Sequence, residues 1–274
     1  MNKFKGYMIC TDCDGTLTNN AVQVSDENAE AIRYFQDEGG LFTLATGRTP
    51  EHINQFKDKF QINAPIVSLN GTAVYDVHEN KLIHKATMKK SDCEELFDYI
   101  NANWREVWEY WLSYTCFESA GYKPQEHPAG DKTLKEMFDK LPNEIYKILI
   151  MQPEEVTPLI QKDLKEKFGD RFHFDTSWAN GLEIQDINSG KGLAVQYMKE
   201  HLYADIHTTV GIGDYENDIS LLEYTDIGYA VGNALDSVKK AADKITVSNE
   251  ESAIVAVVRD LEQSFKENRK KDET

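Results

Sequence analysis

The stretch "YMICTDCDGTLT", residues 7–18, carries two overlapping pairs of reactive side chains directly after a short apolar run. Cys10 and Cys13 form a C-x-x-C pair, which is typical of a zinc site or a redox pair. Asp12 and Asp14 form a D-x-D pair followed by glycine, and carboxylates of this kind suit hard cations and phosphoryl chemistry. The features of the remaining sequence decide between these two interpretations.

The cysteine pair lacks the partners that a metal site needs. A structural zinc site takes four ligands, commonly two C-x-x-C pairs or one pair with histidines. Cys93 and Cys116 are far apart in the sequence, and the seven histidines show no H-x-x-x-H spacing. A redox pair would open a helix, whereas Asp14-Gly15 turns the chain first. We therefore favour the aspartates.

Composition limits the class of protein. A chain of 274 residues with 41% hydrophobic residues suits one large domain, or one domain that carries a smaller one. The net charge of −17 argues against nucleic acid or an anionic membrane as a partner. No apolar run reaches the length of a membrane span, and the first residues do not resemble a signal peptide. We expect a cytoplasmic protein, with no obligate protein partner implied.

Short apolar runs alternate with amphipathic helical stretches at both ends of the chain. Runs without polar alternation are typical of strands buried on both faces of a parallel sheet. The sequence therefore predicts a doubly wound, Rossmann-like α/β fold. The predicted strands are "YMIC", "LFTLAT", "APIVSL", "HTTVGI", "IGYAV" and "KITVS".

The helix after the first strand has clear start and stop signals. Ser25 is a suitable N-cap, Ala29, Ile32 and Phe35 form an apolar stripe, and Gly39 ends the helix. A second helix is predicted from Thr49 and Pro50, with the buried positions Ile53, Phe56 and Phe60.

The middle of the chain has a different pattern. Residues 86–186 contain all four tryptophans and mixed strand and helix signals. We predict an inserted α+β cap domain over 86–186, with residues 1–85 and 187–274 forming the catalytic core.

The tryptophans of this middle region allow two interpretations. Trp104, Trp108 and Trp111 fit one helical face, but the same stretch also fits a strand. Aromatic stripes pack more often than they bind ligands. Trp178 and Asn180 are our candidates for a cap loop that faces the site.

Polar residues follow several predicted strands, where ligands bind in open α/β sheets. Asn217 and Asp218 could cap the next helix, and Thr46-Gly47 could be an ordinary turn, but Asp214 has no such explanation. Lys191 begins a predicted helix, where the helix dipole disfavours a cation. The candidate side chains beyond the opening stretch are Thr46, Gly47, Asn70, Lys191, Asp214, Asn217 and Asp218.

Electrostatics then implies a cation. Asp12, Asp14 and Asp214 would meet at one sheet edge, and unit charges about 4 Å apart repel by roughly 4 kcal/mol at an effective dielectric constant of 20. A phosphate dianion would add to this repulsion. Oxygen ligands favour a hard ion, and Mg²⁺ commonly takes one or two carboxylates together with substrate phosphate. We therefore predict Mg²⁺ as the cofactor.

The motifs together resemble a known family. "DCDGTLT", "ATGR", Lys191 and "GDYEND", in this order, resemble the four motifs of the haloacid dehalogenase (HAD) superfamily. "NGTAVYD" and "EIQDINSGKG" resemble its Cof-type phosphatases, which carry a large α/β cap. The resemblance covers nearly the whole chain. Cys13, Val231 and the glycine before Lys191 depart from the common pattern, and none of these departures removes a catalytic side chain.

The resemblance implies a role for each core residue. Asp12 would be the nucleophile that forms an aspartyl phosphate, and Asp14 the general acid and base. Mg²⁺ would sit on Asp12, the backbone carbonyl of Asp14 and Asp214, with Asp218 assisting or orienting Lys191. The implied or predicted phosphate-binding residues are Thr46, Gly47, Asn70, Lys191 and Asn217.

The resemblance also implies a function. The chain would be a Mg-dependent phosphomonoester hydrolase that acts on a small phosphorylated metabolite, especially a sugar phosphate. Two alternatives remain open at this stage. One is a phosphotransferase or phosphomutase that uses the same aspartyl phosphate, and the other is a non-catalytic metabolite-binding protein on the same fold.

Overall fold

The computed structural model describes residues 2–56, 58–126 and 133–272. Its strands are β1 (Tyr7–Thr11), β2 (Leu41–Leu44), β3 (Ile66–Ser68), β4 (Ala73–Asp76), β5 (Lys81–Lys85), β6 (Met88–Lys89), β7 (Glu109–Ser113), β8 (Ser119–Tyr122), β9 (Glu144–Ile145), β10 (Lys147–Met151), β11 (Phe172–Trp178), β12 (Gly181–Asp186), β13 (Thr208–Gly213), β14 (Ile227–Ala230) and β15 (Lys244–Ile245). Its α-helices are α1 (Asp26–Asp37), α2 (Pro50–Ile53), α3 (Lys90–Asn103), α4 (Thr133–Lys140), α5 (Thr157–Phe168), α6 (Lys191–His201), α7 (Ile219–Tyr224), α8 (Asp236–Ala241) and α9 (Ala253–Asp272).

The first sheet is parallel and has the order β15-β14-β13-β1-β2. A parallel bridge between Ala45 and Val67 places β3 beyond β2, and β3, β4 and β5 continue as an antiparallel meander. The predicted doubly wound α/β fold is confirmed. The prediction that the run at 244–248 is buried on both faces was wrong. The strand β15 lies at the edge of the sheet, and Ile245 is 61% exposed.

The predicted signals of α1 are all present. The Ser25 hydroxyl accepts a hydrogen bond from the Asn28 N–H at 3.1 Å. The stripe of Ala29, Ile32 and Phe35 is buried, since it faces the sheet. The second helix is shorter than predicted: α2 gives way to a 3₁₀ turn at Asn54–Phe56, although the predicted apolar positions are buried as expected.

The second sheet is antiparallel, with the order β11-β12-β10-β7-β8. Helices α3 and α5 cover one of its faces and share an apolar core with it, separate from the core under the parallel sheet. The chain enters this unit after β5 and leaves it after β12. These separate cores support our proposal that residues 86–186 form the cap, and 1–85 with 187–274 the core domain.

The tryptophan stretch is not one helix. Helix α3 ends at Asn103 and β7 begins at Glu109, so the strand alternative is confirmed for Trp111. Trp104 lies after the helix and donates a hydrogen bond to Asp163 at 2.6 Å, which gives it a structural contact within the cap.

We expect Phe35→Ala to lower the free energy of unfolding by about 3–5 kcal/mol, because it leaves a cavity where a fully buried ring stood. The ring of Phe35 packs against Phe4 with centroids 4.7 Å apart. Urea denaturation followed by circular dichroism measures the change. The matched control is Leu159→Ala at a position 60% exposed, which should stay within about 0.5 kcal/mol of the wild type. Equal effects of the two substitutions would contradict the prediction.

Candidate active site

The two central strands of the parallel sheet bring distant aspartates together. Asp12 follows β1 and Asp214 follows β13, and these two strands are hydrogen-bonded neighbours. The Asp12 N–H continues the pairing by donating to the Ile212 carbonyl at 2.8 Å. Because the carboxyl ends of parallel strands meet at one edge, both carboxylates lie where open α/β sheets bind ligands.

A buried ammonium group joins this edge. Lys191 is fully buried at the first turn of α6, and its Nζ donates to Asp12 Oδ1 and Asp218 Oδ1, both at 2.6 Å. Burial opposes the charge of this lysine, but the two carboxylates raise its pKa above the usual value. Lys191 therefore stays protonated, and its unfavourable position at the helix start is balanced by two anions.

Two glycines allow the loops of the site to approach closely. Gly71 has a φ of +96°, and a Cβ there would lie 2.1 Å from the Gly190 carbonyl oxygen. Gly15 has a φ of +79°, and a Cβ there would lie 2.6 Å from a carboxylate oxygen of Asp214. Any larger residue would push these loops apart. The first contact positions Lys191, and the second keeps the D-x-D loop against Asp214.

The remaining acidic groups are held by hydrogen bonds. The Thr16 hydroxyl donates to Asp214 Oδ1 at 2.6 Å. Asp218 accepts from the N–H groups of Asp214 and Tyr215 at 2.9 and 3.2 Å. One oxygen of Asp218 thus fixes the loop after β13 while the other contacts Lys191, as expected for a residue that orients the lysine.

The carboxylates fit a cation. Among the described residues, Asp12, Asp214 and Asp218 form a group whose ligand oxygens all lie within 4.8 Å of one another. Burial raises the pKa of Asp12 well above its usual value, although Lys191 opposes this. Burial and Asp218 raise the pKa of Asp214 to about 7. One ammonium does not balance three carboxylates, and an all-oxygen donor set suits Mg²⁺.

The side chain of Asp14 is not part of this acidic group and binds Arg48 instead. Arg48 Nε and Nη2 donate to the two Asp14 carboxylate oxygens at 2.7 and 2.6 Å. This bidentate ion pair raises the pKa of Arg48. Nothing in "ATGR" indicates which anion the guanidinium of Arg48 would meet, so the sequence does not predict a role for this residue. A metal contact through the Asp14 backbone carbonyl remains a prediction.

Of the predicted phosphate-binding residues, Gly47 and Asn217 line one cavity with the acidic group, whereas Thr46, Asn70 and Lys191 are buried and are not among its lining residues. Thr46 is buried, and its hydroxyl accepts from the Arg48 N–H at 3.1 Å. The Asn217 amide donates to Asn70 Oδ1 at 3.1 Å and to the Ser177 hydroxyl at 2.8 Å. These bonds join the core loops to a cap strand.

Core and cap together line a half-open cavity of about 390 Å³. The core contributes Asp12, Asp14, Gly47, Arg48, Asp214, Tyr215, Asn217 and Asp218. The cap contributes Lys147, Leu149, Ser177, Trp178 and Glu183. Trp178 lies where we expected it, whereas Asn180 is not among the lining residues.

Sequence reasoning missed most of the cap lining. Lys147 and Leu149 alternate with the buried Ile148 and Ile150 on β10, so the period-two pattern of "KILIM" was the available signal. It identifies which residues share a face. It does not say that this face meets the active site.

The cysteine interpretation is not supported. Cys10 and Cys13 are free and buried, and burial raises the pKa of both thiols. Cys10 packs in the sheet core as a small apolar side chain. No described helix is long and apolar enough to cross a membrane.

Comparison with known proteins agrees with the fold. The sequence model of the haloacid dehalogenase-like hydrolase family matches residues 9–258. The 5-amino-6-(5-phospho-D-ribitylamino)uracil phosphatase YcsE of Bacillus subtilis is 25% identical over 252 residues, with 92% of this chain and 94% of YcsE covered.

Solved structures share the architecture. A haloacid dehalogenase-like hydrolase from B. subtilis superposes with a TM-score of 0.76 at 25% identity, covering 92% of this chain and 98% of its own. The HAD subclass IIB sugar phosphatase BT4131 has the same fold, with a TM-score of 0.75 at 18% identity, covering 92% of this chain and 98% of its own.

The fold is therefore that of the haloacid dehalogenase-like hydrolases, an α/β core with a cap, and the chain belongs to this family. The resemblance of its motifs to HAD phosphatases of the Cof type is confirmed, and the chain is a HAD-type phosphatase.

We expect the stability of the metal-free protein to fall as the pH rises from about 4 to 7. The raised pKa of Asp214, about 7 against an ordinary 3.8, means that the folded state binds a proton more tightly than the unfolded state. Thermal unfolding in chelator measures this trend, and Asp214→Asn should flatten it. Mg²⁺ should raise the melting temperature more at the upper end of the range, where the carboxylates are ionised.

The matched control is Asp26→Asn, whose side chain is 85% exposed. It should leave the pH trend of the wild type in place. An identical pH trend in wild type and Asp214→Asn would contradict the assignment of the titrating group.

Proposed function

We propose that this enzyme is a magnesium-dependent phosphomonoester hydrolase that acts on small phosphorylated metabolites, sugar phosphates in particular, through an aspartyl phosphate. The observation that carries the proposal is the position of Asp12. Its carboxylate is held by Lys191 at 2.6 Å, belongs to an acidic group that fits Mg²⁺, and lines the cavity between core and cap. The formal net charge of −17 fits a cytoplasmic enzyme without a nucleic-acid partner.

Asp12, Asp214 and Asp218 would hold the metal. A bound Mg²⁺ would neutralise phosphoryl charge and supply electrostatic stabilisation as that charge redistributes. Lys191 is buried beside Asp12 and would hold a phosphoryl oxygen from the other side. Thr46, Gly47, Asn70 and Asn217 would bind further phosphoryl oxygens. Fixed donors of this kind are the main source of catalysis in phosphoryl transfer.

In the first step, a carboxylate oxygen of Asp12 forms a bond to phosphorus while the bond between phosphorus and the ester oxygen breaks. Asp14 delivers a proton to the departing alkoxide. In the second step, Asp14 takes a proton from water, whose oxygen attacks phosphorus and releases Asp12 and inorganic phosphate. Both Asp14 oxygens accept from Arg48 in this structure. We infer that Asp14 leaves Arg48 before it takes up the proton that it delivers.

The substrate class rests on the cavity and on the relatives. A volume of about 390 Å³ suits a small metabolite. YcsE is named for a substrate that carries its phosphate on a ribityl chain. A hydroxylated carbon chain is a leaving group that polar side chains of the cap could bind.

We expect the purified protein to release phosphate from small phosphomonoesters only when Mg²⁺ is present. Asp12→Asn should lower kcat by at least about 10³-fold, because it removes the nucleophile. A phosphometabolite panel with phosphate detection measures both effects, and Asp26→Asn is the matched control at an exposed position. Full activity in excess chelator, or unchanged turnover in Asp12→Asn, would rule out the proposed mechanism.

We expect Asp14→Asn to slow hydrolysis of alkyl phosphates by about 10²–10⁴-fold, because the alkoxide then departs without a proton. Hydrolysis of p-nitrophenyl phosphate should suffer less in its first step, since nitrophenolate leaves readily unprotonated. Burst kinetics with the two esters measure that step. Equal losses for both would contradict a general acid role of Asp14.

The same assay separates hydrolysis from transfer. With an acceptor sugar present, a phosphotransferase would form a new phosphate ester and release less inorganic phosphate. A hydrolase releases one phosphate for each ester consumed, with or without the acceptor.

A further inference from the structure

The cap places an ion pair at the inner wall of the active-site cavity. Lys147 Nζ and Glu183 Oε1 are 2.5 Å apart, on the neighbouring strands β10 and β12. Both residues line the cavity, and their side chains are 10% and 2% exposed. Burial favours the neutral acid, but Lys147 and the Ser177 hydroxyl lower the pKa of Glu183 below its usual value. Glu183 is therefore ionised, and the Lys147 side chain lies against its carboxylate.

The hydrogen bonds of this pair reach both domains. Glu183 accepts from the amide of Asn70 and the hydroxyl of Ser177. Lys147 also donates to the Gly47 carbonyl at 3.0 Å. An ammonium group has three N–H donors. The two bonds that Lys147 makes to described residues leave one N–H for a group inside the cavity.

The other cation of the cavity lining is also paired. Among the described lining residues, the basic side chains are Arg48 and Lys147. Arg48 binds both oxygens of Asp14, and Lys147 binds Glu183. At the phosphoryl end, one ammonium and a divalent cation would just balance the three carboxylates of the acidic group. Lys147 is the described basic side chain on the cap side of the lining, and its pairing with Glu183 leaves no unpaired cation there for a second anion on the substrate.

The wall beside the pair is apolar and flat. Trp178 is 38% exposed, and its ring covers Gly181, where a Cβ would lie 2.4 Å from a ring atom. Leu149 stands between Trp111 and Glu183 in the register of the sheet. An indole face and a leucine suit the carbon face of a polyol or sugar, while the free N–H of Lys147 suits its hydroxyl groups.

We propose that the Lys147–Glu183 pair makes the leaving-group end of the cavity selective for uncharged, hydroxylated groups, and that it rejects phosphate esters bearing a second anionic group there. This inference rests on the proposed phosphatase function. It narrows the substrate to monophosphates of neutral polyols or sugars, and it assigns specificity to two cap residues.

The test uses two esters with the same carbon chain, sorbitol 6-phosphate and 6-phosphogluconate, at equal free Mg²⁺. At the end away from the phosphate, sorbitol 6-phosphate carries a hydroxymethyl group and 6-phosphogluconate carries a carboxylate. The wild type should favour the first by at least about tenfold in kcat/KM, because an unpaired anion in a buried site is strongly disfavoured. A ratio near one in the wild type would overturn the proposal.

Two variants move the ratio in opposite directions. Glu183→Gln keeps the shape but leaves the charge of Lys147 unbalanced, so the preference should shrink severalfold. Lys147→Gln leaves the charge of Glu183 unbalanced, so the preference should grow. The matched control is Glu144→Gln, which breaks the exposed pair of Glu144 with Lys85 and should leave the ratio unchanged.

Circular dichroism checks that each variant is folded. If one variant is unfolded, the kcat/KM ratio of the other variant decides the test. A ratio that a folded variant leaves unchanged would overturn the role of the pair. Failure of the phosphatase function itself gives a different result, namely no phosphate release from any ester, p-nitrophenyl phosphate included. Calorimetric binding of the two probe esters to Asp12→Asn with Mg²⁺ would then still measure the discrimination, and equal affinities would overturn it.

Discussion

The site depends on one buried ammonium group. Lys191 gives up its hydration entirely, and its two carboxylate contacts at 2.6 Å compensate for that loss. Removing one partner from a buried pair of this kind typically costs about 3–5 kcal/mol, because it leaves an unpaired buried charge. The lysine begins α6, while Asp12 follows β1 and Asp218 precedes α7. A single side chain thus fixes the relative positions of three distant segments at the edge of the sheet.

The two domains treat charge differently. The core concentrates carboxylates beyond what Lys191 can balance, and the raised pKa of Asp214 reflects this excess. A cation and a phosphoryl group would complete such a site. The cap instead presents Lys147 with Glu183, a pair that balances itself. The core is therefore suited to hold charge that arrives with the substrate, and the cap to recognise the uncharged remainder of it.

The sequence alone determined the architecture of the core. Apolar runs such as "YMIC" and "HTTVGI" are local signals, and Ser25 caps α1 through a contact three residues away. Asp12 and Asp214 could be placed together because the ends of adjacent parallel strands share an edge, whatever the details of packing. Lys191 was identifiable because a cation at a helix start opposes the dipole. Each of these inferences uses short-range chemistry or a general rule of topology.

Only the tertiary structure decided which distant side chains meet, both within the core and across the two domains. Arg48 and Asp14 are 34 residues apart, and Asn70 reaches Glu183 across 113 residues. The alternation of β10 shows that Lys147 shares a face with Leu149, but the direction of that face depends on how the cap packs on the core. A periodic pattern of apolar residues shows which residues of one strand or helix share a buried face. Ion pairs between distant segments depend on how the whole chain folds, because the same local pattern is compatible with many charged partners.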